Sequence, residues 1–351
     1  MNSLILQKQE EVIALAQFDI KDAVLKKCLL KEDETVITVP DGITTIGKDA
    51  LCGLQSVIAV TLPESLKVIN DGAFYGCSSL TSVTLPDGVE RLGSCAFAQC
   101  STLNTIYLDN KLTEIGNSAF WGCTSLESID IPAGVTKIGY NLFGSCLSLI
   151  SVSLPDTVTE LDERAFKECT SLACITLPDS LTKIGNMAFL NCRNLKSVNI
   201  PDRLESIGEK AFFMCESLHE LEIPDGIASV GGDAFSDCVS VTVRSTISGK
   251  PLYKAVTATD GSSAYNFILR NIWDKGGFDF TAQDNYFPAL QDENLQYAIA
   301  FSRLMYRVNL SASAEEHYLD FLHNNAENAV RYCITPVSYT HLRAHETRSN
   351  L

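Results

Sequence analysis

The chain has 351 residues, of which 46% are hydrophobic, so it is long enough and apolar enough to bury a large core. Its formal net charge is −16 at pH 7, and a negative field of this size repels the phosphates of nucleic acids and of anionic membrane surfaces. No stretch contains the roughly 20 consecutive apolar residues that a membrane-spanning helix needs. The composition therefore argues against nucleic acid and against a membrane as partners.

The N-terminal segment, residues 1–31, does not have the pattern of a secretory signal. The short apolar run Leu4–Leu6 is followed by charged residues at Lys8, Glu10 and Glu11, whereas a signal peptide has a basic stretch before an apolar core of about 7–15 residues. This pattern predicts a cytoplasmic protein, with a cell-surface or secreted location as the alternative. In a reducing compartment the 13 cysteines are free thiols unless they bind metal.

Residues 32–243 are built from a repeat of 23 residues. Phenylalanine recurs at this interval from Phe74 to Phe235, and cysteine recurs from Cys77 to Cys238. Proline recurs from Pro40 to Pro224 and is replaced once, by Asp109. Three residue types that share one period indicate nine stacked units, each of which buries its apolar side chains against the next.

One repeat, residues 80–101, shows how each unit is expected to fold. Apolar and polar residues alternate over 80–85, which predicts a half-buried strand. Pro86 ends this strand because it lacks an N–H group. Residues 96–100 predict one tight helical or 3-10 turn that buries the repeated phenylalanine and cysteine.

Two further positions of the repeat predict turns. Gly93 occupies a position that is glycine in seven of the nine repeats, with Asn70 and Asp162 as the exceptions, and this preference predicts a backbone with positive φ. An acidic residue follows the strand-ending position in most repeats and is expected to hydrogen-bond to the nearby backbone of the turn. These acidic residues are Asp41, Glu64, Asp87, Asp156, Asp179, Asp202 and Asp225.

The averaged unit, Leu-x-x-Val/Ile-x-Leu/Ile-Pro-Asp-x-Val/Leu-x-x-Ile-Gly-x-x-Ala-Phe-x-x-Cys-x-Ser, resembles the BspA-like leucine-rich repeat of bacterial proteins over residues 32–243. The resemblance implies a repeat solenoid, a leucine-rich-repeat superhelix of short parallel strands joined by 3-10 or helical turns. It also implies an N-terminal β-hairpin cap, which residues 18–26 match. Adhesion and protein binding are the roles that the resemblance implies, without naming a ligand.

The remainder of the chain departs from the repeat. Residues 244–262 are rich in Ser, Thr, Gly and Lys and predict a connector. Residues 263–335 predict an α-helical C-terminal segment, because apolar residues recur at helical spacing and Ser313 with Glu316 form a capping-box pattern. Its simplest role is to cover the apolar end of the stack. Residues 336–351 resemble a translated sequencing adaptor and are interpreted as a non-native tail.

The cysteine column has two interpretations, a metal or redox array and a stack of small buried side chains. Metal sites use cysteines about two to four residues apart, whereas these cysteines occur singly at intervals of 23 residues, so the buried stack is favoured. The five histidines form no triad with a nucleophile, and no phosphate-binding glycine motif is present. The sequence therefore predicts no catalytic residue, no metal site and no cofactor, and the protein is interpreted as a non-enzyme.

The outward-facing side chains of the strands are the favoured binding site. In a leucine-rich repeat they lie on the concave face, and solenoids bind partners with such extended surfaces. Most of these side chains are Ser or Thr, but aromatic, acidic and histidine side chains interrupt this background. The alternative is a solvated sheet face selected for β propensity. The candidate residues are Tyr107, Asp130, Ser153, Thr176, Asn199, His219, Glu220 and Glu222.

Three functions remain open at this stage. The favoured one is a protein-interaction scaffold that binds a protein partner through the concave face and turns over no substrate. The second is a cell-surface adhesin, or a protein that binds host or matrix, whose export signal is missing. The third is an enzyme with its activity in the helical C-terminal part, which no motif supports. The sequence does not identify the partner or the oligomeric state.

Overall fold

The structure is a computed structural model that describes three parts of the chain. In the repeat region it describes residues 16–30, 34–219 and 221–235, and beyond it the backbone of the strands at 240–244 and 251–256. In the C-terminal part it describes residues 284, 287, 296–297, 299–300, 303–304, 310–326 and 328–329. The interpretation of residues 336–351 as a tail, and most of the helical prediction for 263–335, therefore concern residues outside the described parts.

The chain begins with an antiparallel hairpin of two strands, β1 (Gln17–Lys21) and β2 (Val24–Leu29), and nine coils follow. Each coil has a leading strand, which the sequence predicted, and a second strand of two residues, which it did not. The leading strands of coils one to nine are β3 (Val36–Thr38), β5 (Ala59–Thr61), β7 (Ser82–Thr84), β9 (Thr105–Tyr107), β11 (Ser128–Asp130), β13 (Ser151–Ser153), β15 (Cys174–Ile175), β17 (Ser197–Val198) and β19 (Leu221–Pro224). The second strands of the same coils are β4 (Thr45–Ile46), β6 (Val68–Ile69), β8 (Arg91–Leu92), β10 (Glu114–Ile115), β12 (Lys137–Ile138), β14 (Glu160–Leu161), β16 (Lys183–Ile184), β18 (Ser206–Ile207) and β20 (Ser229–Val230). After coil nine come β21 (Ser240–Arg244), β22 (Pro251–Val256) and the helix α1 (Ala312–Asn324).

Residues 23 positions apart lie side by side in neighbouring coils. Among the leading strands Ser82 pairs with Thr105, and among the second strands Glu160 pairs with Lys183, in both cases between parallel strands. The leading strands form the sheets β3-β5-β7-β9, β11-β13, β15-β17 and β19-β21-β22. The second strands form the sheets β1-β2-β4-β6-β8-β10 and β12-β14-β16-β18-β20. The predicted solenoid of short parallel strands is confirmed.

The third side of each coil, between the second strand and the next leading strand, is a run of tight turns rather than a regular helical turn. In coil three the Phe97 N–H donates to the Ala119 carbonyl of the next coil at 2.8 Å, whereas the Ala98 N–H donates back to the Cys95 carbonyl at 3.1 Å. Alternate amides therefore bond along the stack and within the coil. This alternation requires positive φ at Cys95 (54°) and at Gln99 (62°). We call this part of the coils the turn side.

The prediction of positive φ at the repeated glycine is wrong. Gly93 and its equivalents have ordinary φ values, and the first positive-φ residue that follows lies two positions later, as at Ser118 and Lys210. The glycine is required for a different reason, which is the close approach of the preceding coil. A Cβ atom on Gly116 would lie 2.3 Å from the backbone nitrogen of Ser94. At Gly116 this distance leaves no room for a Cβ atom, so glycine is required there.

The core of the solenoid is a column of phenylalanine rings. Eight rings, from Phe74 to Phe235, stack with centroid separations between 4.8 and 6.0 Å and interplanar angles of at most 15°. All eight side chains are fully buried. Because every ring except the terminal ones packs between two others, no coil has a complete core of its own.

The cysteine column is buried beside the phenylalanine rings, as the favoured interpretation predicted. Seven thiols from Cys77 to Cys215 are almost completely inaccessible, and Cys238 lies outside the described residues. Each of the seven donates its S–H to a backbone carbonyl of the preceding coil, as Cys100 does to Phe74 at 3.1 Å. Burial raises the pKa of the Cys123 and Cys215 thiols to about 12. These cysteines therefore act as small apolar residues with one hydrogen bond.

The two ends of the array are closed by hairpins on different sheets. At the N-terminal end β2 pairs in parallel with β4, so the predicted hairpin cap extends the sheet of second strands. Its tight turn is made by Asp22 and Ala23, both with positive φ. At the other end β21 pairs in parallel with β19 and antiparallel with β22, which extends the sheet of leading strands. Strand β22 lies inside the predicted connector, 244–262, so that segment is partly sheet.

The described C-terminal residues include a buried ionic cluster. The Arg303 guanidinium donates to both oxygens of the Asp284 carboxylate at 2.9 Å, and the Tyr318 hydroxyl donates to the same carboxylate at 2.6 Å. Arg303 and Tyr318 have no exposed surface. Helix α1 begins before the predicted capping box, because the Ser311 hydroxyl accepts a hydrogen bond from the Ala314 N–H at 3.1 Å. The cluster ties this helix to two other segments of the chain.

The close approach of the coils predicts a matched pair of glycine variants. Gly116→Ala places a methyl group against the preceding coil, so we expect the free energy of unfolding to fall by about 1–3 kcal/mol. No atom lies within 4 Å of a Cβ on Gly226, and φ there is not positive, so Gly226→Ala is expected to be neutral or up to about 1 kcal/mol more stable. Denaturant unfolding of both variants checks this prediction, and equal stabilities would contradict it.

The burial of the cysteine column predicts strong selectivity in thiol labelling. Cys52 and Cys174 are exposed, so we expect both to react with a maleimide within a short pulse on the native protein. The thiols from Cys77 to Cys215 are expected to react only when the coils separate, because the reagent cannot reach them in the native protein. Mass spectrometry of peptides after pulses with and without denaturant measures both groups. Fast labelling of Cys123 in the native protein would show that the reagent reaches the cysteine column, and would contradict the prediction.

Candidate functional site

The leading-strand face is the surface formed by the two outward columns of the leading strands. One column consists of Val36, Ala59, Ser82, Thr105, Ser128, Ser151, Cys174 and Ser197, and the other of Thr38, Thr61, Thr84, Tyr107, Asp130, Ser153, Thr176, Asn199 and Glu222. All of these side chains are exposed except Ala59, which is half-buried. They alternate with buried residues such as Val83 and Ile106, which fill the core.

This face carries very little charge. In coils one to eight, Asp130 is the single charged side chain in the two columns. The face also presents Tyr107, whose side chain is 75% exposed and is the most exposed large hydrophobic residue in the described part of the chain. An almost uncharged face with one protruding aromatic ring is unusual on a chain whose net charge is −16.

The sheet of second strands has the opposite character. Charged side chains alternate in sign along the stack, and Arg91 pairs with Glu114 at 3.1 Å while Lys137 pairs with Glu160 at 3.2 Å. Lys137 also reaches Asp162 at 3.0 Å. These pairs are largely exposed and contribute little to stability. The sheet of second strands therefore presents paired charges to solvent, whereas the leading-strand face presents almost none.

The predicted site residues form a stripe rather than a pocket. Asp130, Ser153, Thr176 and Glu222 are exposed, one in each of four coils, and neighbouring coils are about 4.8 Å apart. Tyr107 and Glu222 are therefore separated by about 24 Å along the stack. A single small ligand cannot touch all of them, so the arrangement suits an extended partner.

The other three predicted residues differ from this group. His219 is exposed in the column just before the leading strands, and Glu220 lies outside the described residues. The amide of Asn199 is used within the structure, since its nitrogen donates to the Leu177 carbonyl at 2.8 Å and its oxygen accepts from the Leu177 N–H at 2.7 Å. The Asn199 amide therefore extends the ladder between β15 and β17 by one residue and is poorly placed to bind a ligand.

Apolar residues at the edge of this face were not predicted from the sequence. Ile58 and Ile150 come immediately before their leading strands and are 44% and 55% exposed, and Val36 within the face is also 55% exposed. Their position, one residue after the conserved leucine of the repeat, is polar in most other coils. That contrast within one column was the signal that could have identified Ile58 and Ile150.

At three of its positions the acidic column at the corner after the leading strand does not form the predicted hydrogen bonds. Within the described residues the carboxylates of Asp87, Asp156 and Asp179 accept no hydrogen bond from the backbone. The turn is instead closed by the backbone, as when the Val89 N–H donates to the Pro86 carbonyl at 3.2 Å. These carboxylates are exposed and border the leading-strand face on one side.

The described residues contain no arrangement typical of a metal centre or of a membrane span. Within them, no group of three His, Cys, Asp or Glu side chains could hold a metal ion. The helices of this part of the chain are too short or too polar to cross a bilayer.

Comparisons with solved structures find bacterial leucine-rich repeat proteins. A leucine rich cell surface protein from Faecalibacterium prausnitzii A2-165 is 26% identical with a TM-score of 0.41, over 64% of this chain and 85% of that one. A leucine-rich repeat protein from Bacteroides ovatus ATCC 8483 is 19% identical with a TM-score of 0.44, over 67% and 90% of the two chains. The T. pallidum leucine rich repeat protein is 27% identical with a TM-score of 0.37, over 64% and 86%.

Comparison with curated proteins gives no match. The family model for the BspA type leucine rich repeat region, in six copies, matches residues 19–150 and 137–250. These two ranges together include all but the first two residues of the hairpin cap, all nine coils and strand β21. The chain therefore belongs to the family of BspA-type leucine-rich repeat proteins.

Proposed function

We propose that this protein is a non-catalytic scaffold that binds a protein partner through the leading-strand face. The observation that carries the proposal is the contrast between a charge-poor, exposed sheet face and the acidic remainder of the molecule. The cores of protein interfaces are depleted in charged residues and enriched in tyrosine. Tyr107, with 75% of its surface exposed, is the natural anchor for such a contact.

The rigidity of the solenoid supports this role. Each leading strand is fixed by a backbone ladder to at least one neighbouring strand, as β5 is to β7, and the core beneath the strands is a stack of phenylalanine rings. Outward side chains on such strands have a defined spacing before the partner arrives, so less conformational freedom is lost on binding. The scaffold thus presents a preformed row of contacts instead of a flexible loop.

The size of the face determines how far the contact must extend. Nine strands about 4.8 Å apart, each about 10 Å long, give a strip of roughly 380 Å². A stable interface needs about 800 Å² on each partner. The partner must therefore also contact the borders of the strip, where Ile58 and Ile150 lie on one side and the acidic corner column lies on the other. A partner with basic groups beside an apolar strip fits both borders.

The proposal predicts that two substitutions on the leading-strand face weaken partner capture. Tyr107→Ala removes the exposed ring, and Glu222→Lys reverses a charge at the C-terminal end of the face. Loss of an interface anchor is expected to reduce affinity by roughly 30-fold. The measurement is quantitative capture by the immobilised full-length protein from an extract of the source organism, followed by titration of the captured partner.

Tyr75→Ala is the matched control. Tyr75 is 38% exposed and lies on the turn side, so its removal changes an exposed tyrosine without touching the leading-strand face. We expect capture by Tyr75→Ala to equal that of the unmodified protein. If Tyr107→Ala with Glu222→Lys captures the partner as well as Tyr75→Ala does, the leading-strand face is not the binding surface.

A further inference from the structure

The second strands are joined by the same two backbone hydrogen bonds at every junction but one, from the hairpin to coil nine. At the junction of coils six and seven, for example, the Thr182 N–H donates to Thr159 at 2.9 Å and the Gly185 N–H donates to Leu161 at 2.8 Å. The equivalent donors between coils four and five are Thr136 and Gly139. Neither of these N–H groups donates to any described residue. This junction therefore lacks both bonds.

Both sheets are interrupted at this junction. Strand β9 is not paired with β11, and β10 is not paired with β12. The leading strands are also interrupted between β13 and β15 and between β17 and β19, but there the second strands continue without a break. Among the junctions of the described coils, the one between coils four and five is thus the only place where neither side of strands is hydrogen-bonded as a sheet.

The coils are also further apart on this side. A Cβ on Gly139 would lie 3.9 Å from the nearest backbone atom of coil four, whereas the corresponding distance at Gly116 is 2.3 Å. Ile115, which faces the gap, is 8% exposed, whereas its equivalents in the other seven of the first eight coils are at most 2% exposed. Glu114 and Lys137 carry opposite charges at equivalent positions across the gap, yet Lys137 pairs with coil six instead.

The turn side remains joined at the same junction. The Ser118, Phe120 and Gly122 N–H groups donate to carbonyls of coil five at 2.8, 3.1 and 2.9 Å. The rings of Phe120 and Phe143 stay stacked, at 5.8 Å and 5°. Coils four and five are therefore fastened along the turn side. The leading-strand side keeps one backbone bond, from the Glu127 N–H to the Asn104 carbonyl at 3.3 Å, and just after the second strands the Tyr140 N–H donates to the Asn117 amide oxygen at 3.2 Å. The second strands themselves are open, which is the arrangement of a hinge.

The sequence of coil four accounts for the position of the gap. In the neighbouring coils the strand-ending residue is a buried proline, Pro86 or Pro132, whereas coil four has Asp109, which is half-buried. A carboxylate is not buried between coils without a compensating charge, so the corner of coil four lies nearer to solvent. The irregular face residues Tyr107 and Asp130 lie in coils four and five, one on each side of the gap.

We infer that coils one to four and coils five to nine are two rigid blocks that bend relative to each other at this junction, with the turn side as the pivot. Bending changes the spacing between Tyr107 and Asp130 while leaving the spacing of the other neighbouring face residues fixed. The hinge thereby makes the centre of the leading-strand face adjustable. It follows from the packing of the coils and does not depend on whether that face binds a partner.

Hydrogen exchange tests the missing bonds with an internal control. Residues 136–139 and 182–185 have the same sequence, Thr-Lys-Ile-Gly, so their intrinsic exchange rates are closely matched. We expect the Thr136 and Gly139 amides to exchange at least about tenfold faster than those of Thr182 and Gly185, because they lack hydrogen bonds. The measurement is mass spectrometry with single-residue fragmentation on the full chain. Equal rates at the two sites would overturn the inference.

Distance measurements test the bending itself. Spin labels on encoded non-natural residues, which avoid the native cysteines, are placed at Lys67 and Glu205 beside the second strands, and in a second sample at Tyr75 and Phe213 on the turn side. Both pairs join coils two and eight across the same junction. A hinge with its pivot on the turn side gives the first pair a distance distribution at least about twice as wide as the second. Equally narrow distributions would show a rigid rod and overturn the hinge.

Discussion

The structure depends on in-register contact between residues 23 positions apart. Each phenylalanine ring packs on the ring of the next coil, and each buried cysteine thiol donates to a carbonyl of the coil before it. No single coil encloses these groups, because its core is completed by its neighbours. The constant period is therefore the condition for burial, and a coil of different length would displace every side chain that follows it.

The same condition explains why glycine recurs in the repeat. The sequence showed that glycine is preferred at Gly116 and its equivalents, but two causes produce such a preference, a positive φ and a close approach of another backbone. The approaching atoms belong to a residue 22 positions earlier, so only the packing of the coils could distinguish the two causes. The second strands were missed for a similar reason, since two residues such as Arg91–Leu92 carry no alternating pattern.

The candidate site was predictable to the extent that it follows the alternation of the strands. The pattern assigned Tyr107 and Asp130 to the outward side, and both are exposed. It could not reveal that the Asn199 amide is bound to the backbone of Leu177, because that contact joins two coils. Residues 136–139 and 182–185 illustrate the same limit, since identical tetrapeptides make different hydrogen bonds in different coils.

In a repeat protein the information about function lies in the departures from the period. Buried positions are constrained by stacking, so Phe or Cys at a repeated site reports the fold and nothing more. Outward positions are free of that constraint, and a tyrosine among hydroxyls at Tyr107 is therefore a signal about contact. Asp109 departs from the period at a corner, and the gap between the coils lies beside it. The irregular residues of the face and the interrupted junction of the stack thus coincide, so the proposed contact and the proposed hinge lie in the same two coils.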